Sequence, residues 1–368
     1  MKIIEIIPQL SSGGAERFVV DLCNELVQMG HTVTLVVLHN LKRNGFYQEE
    51  IDGRVRVVSM NKKKGMDFRL FFQLRHFIRA ERPDVVHTHL RAIVYDFIEA
   101  LVPHGVMHCH TVHNAARQEA GGGISAFVRK YAFSHQLSVP VTISEESLRS
   151  FEAYYGYPAP VIPNGRNVGA DLQVSDGVKR EFEQYRRTAS TRVLVCLARI
   201  TKVKRQTMLA HITKALEDSY DFTVLLIGTD KDRELVNEIE SIGCRHLHIL
   251  GERHNPLEYL KAADAYCLCS SYEGAPMSLI EAIGTGCVPV CSPVGSIVDI
   301  VHDGENGLLA TDLSRSAYQA KVEEFLLLPS NRLLALSQAA LESYPPFSMT
   351  ACAKKYVQLF ERSSVVDS

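Results

Sequence analysis

A chain of 368 residues exceeds the roughly 250 to 300 residues at which a single hydrophobic core stops growing, so we expect two domains. Lys and Arg (40) nearly balance Asp and Glu (42), which excludes an overall charge that would recruit nucleic acid or an anionic surface. The nine cysteines are odd in number and several lie in apolar runs, so we predict buried, reduced thiols in a cytoplasmic protein.

Short β-branched runs alternate with longer segments of helical period, which is the pattern of βαβ units and parallel sheets. The first series predicts strands at 2–7, 32–38, 55–58, 84–88, 106–111, 139–143 and 160–162. After a polar, poorly periodic stretch over 164–190 that we interpret as a linker, the second series predicts strands at 192–198, 222–227, 247–250, 264–268 and 288–291. We therefore expect an α/β protein of two doubly wound parallel-sheet domains whose strands end at a shared cleft.

A glycine-rich turn, with Gly13 and Gly14 at its centre, follows the first predicted strand and precedes a helix predicted over 17–29. Glycine at such a turn allows the backbone to approach a ligand closely. The turn has neither the spacing of the three-glycine dinucleotide fingerprint nor that of a Walker A loop. On its own it is weak evidence for a binding loop and favours a plain tight turn.

A basic and aromatic segment begins at Lys62 to Lys64 and continues into a helix predicted over 67–79. Four phenylalanines interleave there with three arginines: Phe68, Phe71, Phe72 and Phe77 with Arg69, Arg75 and Arg79. A helix of this kind can lie on anionic lipid, which would give peripheral contact with the cytoplasmic face of a membrane. The alternative is that the phenylalanines pack on the sheet and the arginines are solvated.

Histidines cluster near the fourth and fifth predicted strands. His87 and His89 lie at the end of the fourth strand, where they would either line a ligand-binding surface or cap the next helix. His108 and His110, together with His113, resemble a metal cluster, but no nearby carboxylate or second cysteine completes a tetrahedral set. We therefore predict structural roles for His108 and His110, and no metal.

The first strand of the second series runs into a basic loop that contains Arg199, Lys202, Lys204 and Arg205. A strand exit in a cleft is a poor place for unpaired cations, so this cluster indicates a ligand that carries phosphate. Arg199 would bind it as a fork and Lys204 as a point charge. The simpler alternative is a solvated basic loop.

Glu273 and Glu281 lie eight residues apart across a turn that opens an apolar helix. Pro276 fits the first turn of this helix, because its missing N–H would have no intrahelical partner there. The residues whose amides can then point outward are Gly274, Ala275, Met277 and Ser278. A helix start attracts anions, whereas carboxylates repel phosphate and accept from neutral hydroxyls. We therefore assign the amides to a diphosphate and the carboxylates to sugar hydroxyls, with solvated acids as the alternative.

Taken together, these residues resemble the retaining GT-B glycosyltransferases of family 4. Arg199 is followed five residues later by Lys204, and Glu273 with Glu281 forms the pattern E-x7-E. The resemblance spans nearly the whole chain and includes Gly13-Gly14-Ala15-Glu16, Thr111-Val112-His113-Asn114, Ser144, Pro163-Asn164-Gly165 and Asp303-Gly304-Glu305-Asn306-Gly307. Several independent motifs in one order make this resemblance specific.

The resemblance implies two Rossmann-like domains that face a cleft. The acceptor-binding domain would be 1–168 with a C-terminal helix at 346–363 that crosses back to it, and the donor-binding domain would be 169–345. The implied activity is metal-independent transfer of a hexose-type sugar, with retained configuration and no cofactor, from the diphosphate of a nucleotide such as UDP. The acceptor would be a glycan or a lipid-linked molecule in cell-surface polysaccharide or glycolipid synthesis.

The resemblance also implies roles at the matched positions. Arg199 and Lys204 would stabilise the diphosphate as the glycosidic bond breaks, and Gly14 would bring further backbone amides to the phosphates. Glu281 would bind the ribose hydroxyls. The transferred sugar would contact Glu273 and the backbone that follows it, and His113 would lie beside the reacting centre. The remaining donor-binding residues would be Gly274, Ala275, Pro276, Met277 and Ser278.

The chain departs from the family pattern around both phosphate-binding segments. Ala198 replaces the usual glycine before Arg199, and Arg205 replaces the usual glycine after Lys204. The loop is therefore bulkier, and Arg205 can point away from the phosphate. Beyond the strand at 288–291, Val294-Gly295 stands where the family commonly has two glycines, and Asp299 stands where it usually has an acid. A third feature, Asp230-Lys231-Asp232, has the form of a metal-binding DxD motif, but helix capping explains it better.

Two other functions fit parts of this pattern. A nucleotide-sugar epimerase on the same frame would bind a nucleotide diphosphate, but its acid-base pairs do not take the form of E-x7-E with Arg-x4-Lys. A non-catalytic nucleotide-sugar binding module should have lost some of the matched residues, whereas His113, Arg199, Lys204 and both glutamates are present. We therefore favour a transferase.

Overall fold

The structure is a computed structural model that describes residues 1–41, 46–102, 105–169 and 171–364. Its strands are β1 (Lys2–Ile7), β2 (Thr32–Val37), β3 (Arg56–Ser59), β4 (Val85–His89), β5 (Met107–Val112), β6 (Val139–Thr142), β7 (Arg192–Leu197), β8 (Phe222–Ile227), β9 (Leu247–Gly251), β10 (Ala265–Leu268), β11 (Val288–Cys291) and β12 (Leu308–Leu309). Its helices are α1 (Gly14–Gln28), α2 (Phe68–Glu81), α3 (Ile93–Ala100), α4 (Ala116–Ala120), α5 (Ile124–Ser134), α6 (Glu145–Tyr155), α7 (Asp176–Tyr185), α8 (Gln206–Leu216), α9 (Arg233–Ser241), α10 (Pro256–Ala262), α11 (Met277–Thr285), α12 (Ile297–Ile300), α13 (Arg315–Leu327), α14 (Ser330–Ser343) and α15 (Met349–Ser364). Over the described ranges, every helix is too short or too polar to cross a bilayer.

The chain separates into two compact units. The first comprises Met1–Asn167 together with the chain from Phe347 onward, and the second comprises Val168–Pro346. Each unit contains one six-stranded parallel sheet with α-helices between its strands, in the order β3-β2-β1-β4-β5-β6 in the first and β12-β11-β10-β7-β8-β9 in the second. Both orders reverse direction at the first strand of the unit, as in doubly wound folds, so the predicted α/β class is confirmed.

The first sheet is covered differently on its two faces. Residues alternate between faces along a strand, so Ile4 and Ile6 of β1 point one way and Glu5 points the other. Ile4 and Ile6 belong to the apolar cluster that includes Leu74 of α2. The face that carries Glu5 lies under α1 and α15, and Tyr356 of α15 packs its ring against His87 there, with centroids 5.0 Å apart. A polar group is therefore buried in the middle of this unit.

The structure differs from the predicted elements at three places. The predicted strand at 160–162 is reduced to a single bridge between Thr142 and Val161, because the prolines at 160 and 163 cannot donate ladder hydrogen bonds. The stretch interpreted as a linker contains the boundary between the two units, after Asn167, but it also forms α7, whose Val178 and Phe182 are buried. β12 was missed, since two residues carry no readable period.

Two of the motifs that carry the family resemblance serve packing. A Cβ on Gly165 would lie 2.5 Å from the Cβ of Cys352 in α15, so only glycine allows this close approach. Asn306 closes the turn before β12, accepting from the His302 N–H at 2.7 Å and donating to the Ile300 carbonyl at 2.8 Å. Gly307 lies against Pro289, where a Cβ would meet the proline ring at 2.6 Å.

Candidate active site

The predicted cation cluster lies where β7 leaves the second sheet. The chain passes the exposed Arg199, makes a short 3₁₀ turn over Lys202–Lys204 and enters α8. The side-chain amide of Gln206, the first residue of α8, donates to the Arg199 carbonyl at 2.9 Å and accepts from the Thr201 N–H at 3.4 Å. These bonds hold the loop backbone, while the Arg199 side chain extends into solvent.

The second predicted group lies at the exit of β10, which pairs directly with β7. Lys204 Nζ lies 2.5 Å from Glu273 Oε1, and the Ser270 hydroxyl donates to the same oxygen at 2.5 Å. The two exits are also joined through the main chain, because the Ser271 N–H donates to the Val203 carbonyl at 2.8 Å. The structure thus brings Lys204 and Glu273, recognised from separate motifs, into direct contact.

The helix α11 starts four residues after Glu273, the residue that contacts Lys204. α11 begins at Met277, and Pro276 is the residue before it, with an extended backbone; our placement of Pro276 within the first turn was one residue too early. The hydroxyl of Ser278 lies 2.6 Å from that of Tyr266, and the two share a hydrogen bond. Glu281 is buried on α11, one turn after Met277 and on the same face.

Gly274 and Ala275 form the half-buried loop between Glu273 and the start of α11. The Gly274 carbonyl accepts from the Ser296 N–H at 3.2 Å, which attaches this loop to the segment after β11. A ligand held by the loop would therefore contact backbone that is anchored at both ends.

The departures from the family pattern have local explanations. Arg205 has a φ of +55°, a left-handed conformation that glycine adopts without cost, which is why glycine is the usual residue there. Its guanidinium donates to the Leu313 carbonyl at 2.8 Å, which confirms that Arg205 points elsewhere. Next to Ala198, the chain passes close to Gly228 at the exit of β8, where a Cβ would come within 2.2 Å of the Ala198 carbonyl oxygen.

The other two predicted site residues belong to the first unit. Gly14 is the first residue of α1, and the carboxylate of Glu16 folds back over Gly13, where a Cβ would be 2.1 Å from its oxygen. His113 follows β5 and is buried against the edge of Phe18, with ring centroids 5.5 Å apart. Burial lowers the pKa of His113 well below its ordinary value, so its ring is neutral. That His113 acts on a ligand bound by the second unit stays a prediction.

His87 and His89 neither line a surface nor cap a helix, so that prediction was wrong. Both rings are fully buried, and Glu5 lies 2.8 Å from Nε2 of His89 and 3.0 Å from Nδ1 of His87. Sequence reasoning missed Glu5 as the partner of these two histidines. Its signal was a single acid inside a run of isoleucines, Ile3 to Ile7, which a buried strand tolerates only if the acid has partners.

The remaining histidines have the structural roles that we predicted. His108 Nδ1 lies 2.7 Å from Asp96, whose carboxylate raises the pKa of His108 against the lowering effect of burial. His110 lies between the Thr88 hydroxyl at 2.8 Å and the Glu119 carboxylate at 3.2 Å. Each ring has its own carboxylate, so the two are held as separate pairs and not as one cluster.

The DxD-like sequence is a helix cap, as predicted. The side chain of Asp232 accepts from the Leu235 N–H at 3.3 Å at the start of α9, and Asp230 lies 3.5 Å from Arg233. Each of the two carboxylates therefore has a partner near the start of α9.

Comparison with known families gives a match over each half of the chain. The sequence profile of Glycosyltransferase Family 4 matches residues 12–169, and that of Glycosyl transferases group 1 matches residues 178–342. The chain is 25% identical over 339 residues, 88% of each protein, to the GalNAc-α-(1→4)-GalNAc-α-(1→3)-diNAcBac-PP-undecaprenol α-1,4-N-acetyl-D-galactosaminyltransferase of Campylobacter jejuni.

Two solved structures have the same fold. A glycosyltransferase from Rickettsia africae superposes with a TM-score of 0.82 at 18% identity and covers 100% of this chain and 99% of its own. Anabaena HepE in complex with UDP and glucose superposes with a TM-score of 0.80 at 17% identity and covers 98% of this chain and 100% of its own. At these identities the likeness establishes the two-domain GT-B architecture.

Proposed function

The chain belongs to the family 4, group 1 glycosyltransferases, and from that premise we propose that it is a retaining, metal-independent enzyme that transfers a hexose-type sugar. The observation that carries the proposal is the contact between Lys204 and Glu273 beside the start of α11. It brings a cation and a carboxylate together at neighbouring strand exits, next to the backbone of Met277 and Ser278 at the helix start. That combination suits a ligand that carries both phosphate and hydroxyl groups.

Charge stabilisation would drive the chemical step. As the bond between the anomeric carbon and the phosphate oxygen breaks, its electron pair goes to the diphosphate, where Lys204, Arg199 and the amides of α11 balance the growing negative charge. These groups supply the positive charge that a metal ion supplies in other transferases, which is why we propose metal independence. Glu273 would hold the sugar and Glu281 the ribose, each accepting from hydroxyls.

Retention would follow from attack on the same face from which the diphosphate departs. The acceptor hydroxyl forms the new bond to the anomeric carbon and gives its proton to the departing phosphate oxygen. This route needs no carboxylate nucleophile. His113 and Gly14 of the first unit would contact the sugar and the phosphates respectively.

The relatives support a donor and an acceptor class. HepE was crystallised with UDP and glucose, and the Campylobacter relative acts on an undecaprenol-linked glycan. We propose a nucleotide diphosphate donor such as a UDP-hexose and a lipid-linked or glycan acceptor, in cell-surface polysaccharide or glycolipid synthesis in the cytoplasm.

Thermal unfolding in the presence of candidate donors tests this function. A nucleotide that binds the folded state at 100 times its Kd adds about 2.7 kcal/mol of stability, which raises Tm by several degrees. We expect a shift with a nucleoside diphosphate and a larger one with its sugar, each unchanged by EDTA. Product anomers can then be assigned by NMR. If no nucleoside diphosphate shifted Tm, the proposal would be refuted, and an inverted product would refute retention.

The two interpretations of the basic aromatic helix apply to different side chains. Leu70 and Leu74 face the core, whereas Phe68 and Phe72 are 69% and 66% exposed. The exposed rings follow the lysines over 62–64 closely in the chain, an arrangement that favours an anionic lipid surface. We therefore propose peripheral contact with a membrane through this segment.

Vesicle flotation tests that contact. We expect wild-type protein to float with vesicles that contain phosphatidylglycerol, and the triple variant Lys62→Glu, Lys63→Glu, Lys64→Glu to lose most of this binding, because each lysine contributes about 1 kcal/mol near such a surface. A triple variant of exposed lysines in the second unit, Lys179→Glu, Lys231→Glu, Lys261→Glu, makes the same charge change and should still float. Equal flotation of both variants would remove the segment from the proposal.

A further inference from the structure

A chain of hydrogen bonds runs through the buried face of the first sheet and ends at His113. Strand register places Glu5 of β1 beside His87 of β4 and His89 beside Thr111 of β5, so all four side chains share that face. Glu5 contacts both histidines, His87 contacts the Thr111 hydroxyl at 2.8 Å, and His89 Nδ1 lies 2.9 Å from His113 Nε2. The four side chains have no solvent exposure.

The direction of these bonds is set by the charge on Glu5. Burial alone raises the pKa of Glu5, but the charge of His87 and the hydrogen bonds from His87 and His89 outweigh it and lower the pKa to about 2, so the carboxylate is ionised. Burial lowers the pKa of His89 to about 3, so that ring is neutral and has one N–H. An ionised carboxylate only accepts, and His89 must therefore carry its proton on Nε2, toward Glu5.

The consequence passes to the next ring. With its proton on Nε2, His89 has a lone pair on Nδ1, and this atom can only accept from His113. We propose that Glu5 and His89 are positioning residues, which fix His113 as the tautomer with its proton on Nε2 and a lone pair on Nδ1. Together with the edge contact from Phe18, they would also fix the orientation of the ring.

This inference rests on the proposed function, which gives His113 a role beside the reacting centre. It deepens that role, because a neutral ring with a lone pair on Nδ1 accepts a hydrogen bond there and cannot donate one. The ligand group it suits is therefore a hydroxyl of the donor sugar or of the acceptor. It does not suit a phosphate oxygen, which would need a donor.

A metal ion would reverse this arrangement. Among the described residues, Glu5, His87 and His89 are the group whose ligand atoms lie close enough to hold an ion. Tetrahedral zinc, with bonds of about 2.0–2.1 Å, would hold ligand atoms roughly 3.3 Å apart, whereas the contacts of Glu5 are 2.8 and 3.0 Å and suit hydrogen bonds. Zinc on His89 Nε2 would put the proton of His89 on Nδ1, and His113 would then carry its own on Nδ1.

NMR of protein with ¹⁵N-labelled histidine decides between the hydrogen-bonded arrangement and the zinc-bound one. We expect His113, identified by the signal that His113→Asn removes, to be in the Nε2–H form in wild type. Glu5→Gln and Glu5→Leu remove the ionised acceptor, so at least one of them should give a mixture of forms and lower kcat at least tenfold, with donor KM changed less than threefold. Asp96→Asn removes a charge from another buried carboxylate–histidine pair and should leave the His113 signal and kcat unchanged.

Each contrary result has a distinct meaning. A His113 in the Nδ1–H form, with one zinc per chain by elemental analysis, would overturn the inference, as would a His113 tautomer that both Glu5 variants leave unchanged. An altered tautomer with unchanged kcat would overturn the link between this chain of bonds and catalysis. Failure of wild type to transfer sugar from any nucleotide donor would refute the proposed function, while the tautomer measurement would still stand.

Discussion

Replacing Lys204 with alanine is expected to lower kcat about 10²- to 10³-fold, equivalent to about 2.7–4 kcal/mol of lost transition-state stabilisation. The ammonium group lies at the junction of two strand exits and is only 22% exposed, so its charge acts on the diphosphate with little screening from water. Because negative charge on the phosphate grows as the bond breaks, the loss should be larger in kcat than in donor affinity.

Lys202→Ala is the matched control for this experiment. Lys202 lies in the same 3₁₀ turn, two residues earlier, but its side chain is exposed. Its removal should change kcat less than threefold. Initial rates over a range of donor concentrations would separate kcat from KM for both variants. A Lys204→Ala enzyme with the rate of wild type would disprove the role given to Lys204, and equal losses in both variants would indicate a general effect of loop charge.

Replacing Glu281 with alanine is expected to lower kcat/KM for a ribonucleotide donor about 10- to 100-fold. A hydrogen bond to a charged group contributes about 1.5–3 kcal/mol, and Glu281 would make such bonds to the ribose. Its carboxylate is buried on α11, so water does not readily replace it in the variant. Most of the change should be in KM, because the ribose does not react.

A donor that contains deoxyribose makes this prediction specific. Wild type should use the deoxyribose donor poorly, and Glu281→Ala should use both donors equally, since the variant has nothing left to distinguish the hydroxyls. Glu305→Ala, which removes an exposed acid from another shared motif, should keep the preference of wild type. If Glu281→Ala retained the full preference for ribose, Glu281 would not be the residue that binds the ribose hydroxyls.

The sequence was sufficient for most strands of the two sheets and for the contact between Lys204 and Glu273 at two strand exits. Parallel strands buried on both faces are near-continuous apolar runs, which is why β1, β8 and β11 were predicted with their observed ends. Cations and acids at the ends of such runs must meet at one edge of a sheet, and the contact between Lys204 and Glu273 follows from that geometry.

What the sequence did not reveal depends on contacts between distant residues. Glu5 is separated from His87 by 82 residues, and its pairing follows only from the alignment of β1 with β4. Gly228 is required because its backbone meets that of Ala198 on the neighbouring strand, which no local pattern indicates. The apolar positions of α7 were hidden because polar residues surround them on both sides. Such features depend on how distant segments align and pack in the fold, which cannot be predicted from a single sequence.

The ion pair between Lys204 and Glu273 also bears on product release. With the sugar bound, Glu273 would accept from sugar hydroxyls while Lys204 faces the diphosphate. Once the sugar has been transferred, the Glu273 carboxylate would again contact the Lys204 ammonium group in the ion pair described above. The product nucleoside diphosphate would then compete with the Glu273 carboxylate for Lys204. The enzyme should therefore be inhibited only weakly by its own nucleoside diphosphate, and inhibition constants measured with Glu273→Gln should be tighter than those of wild type.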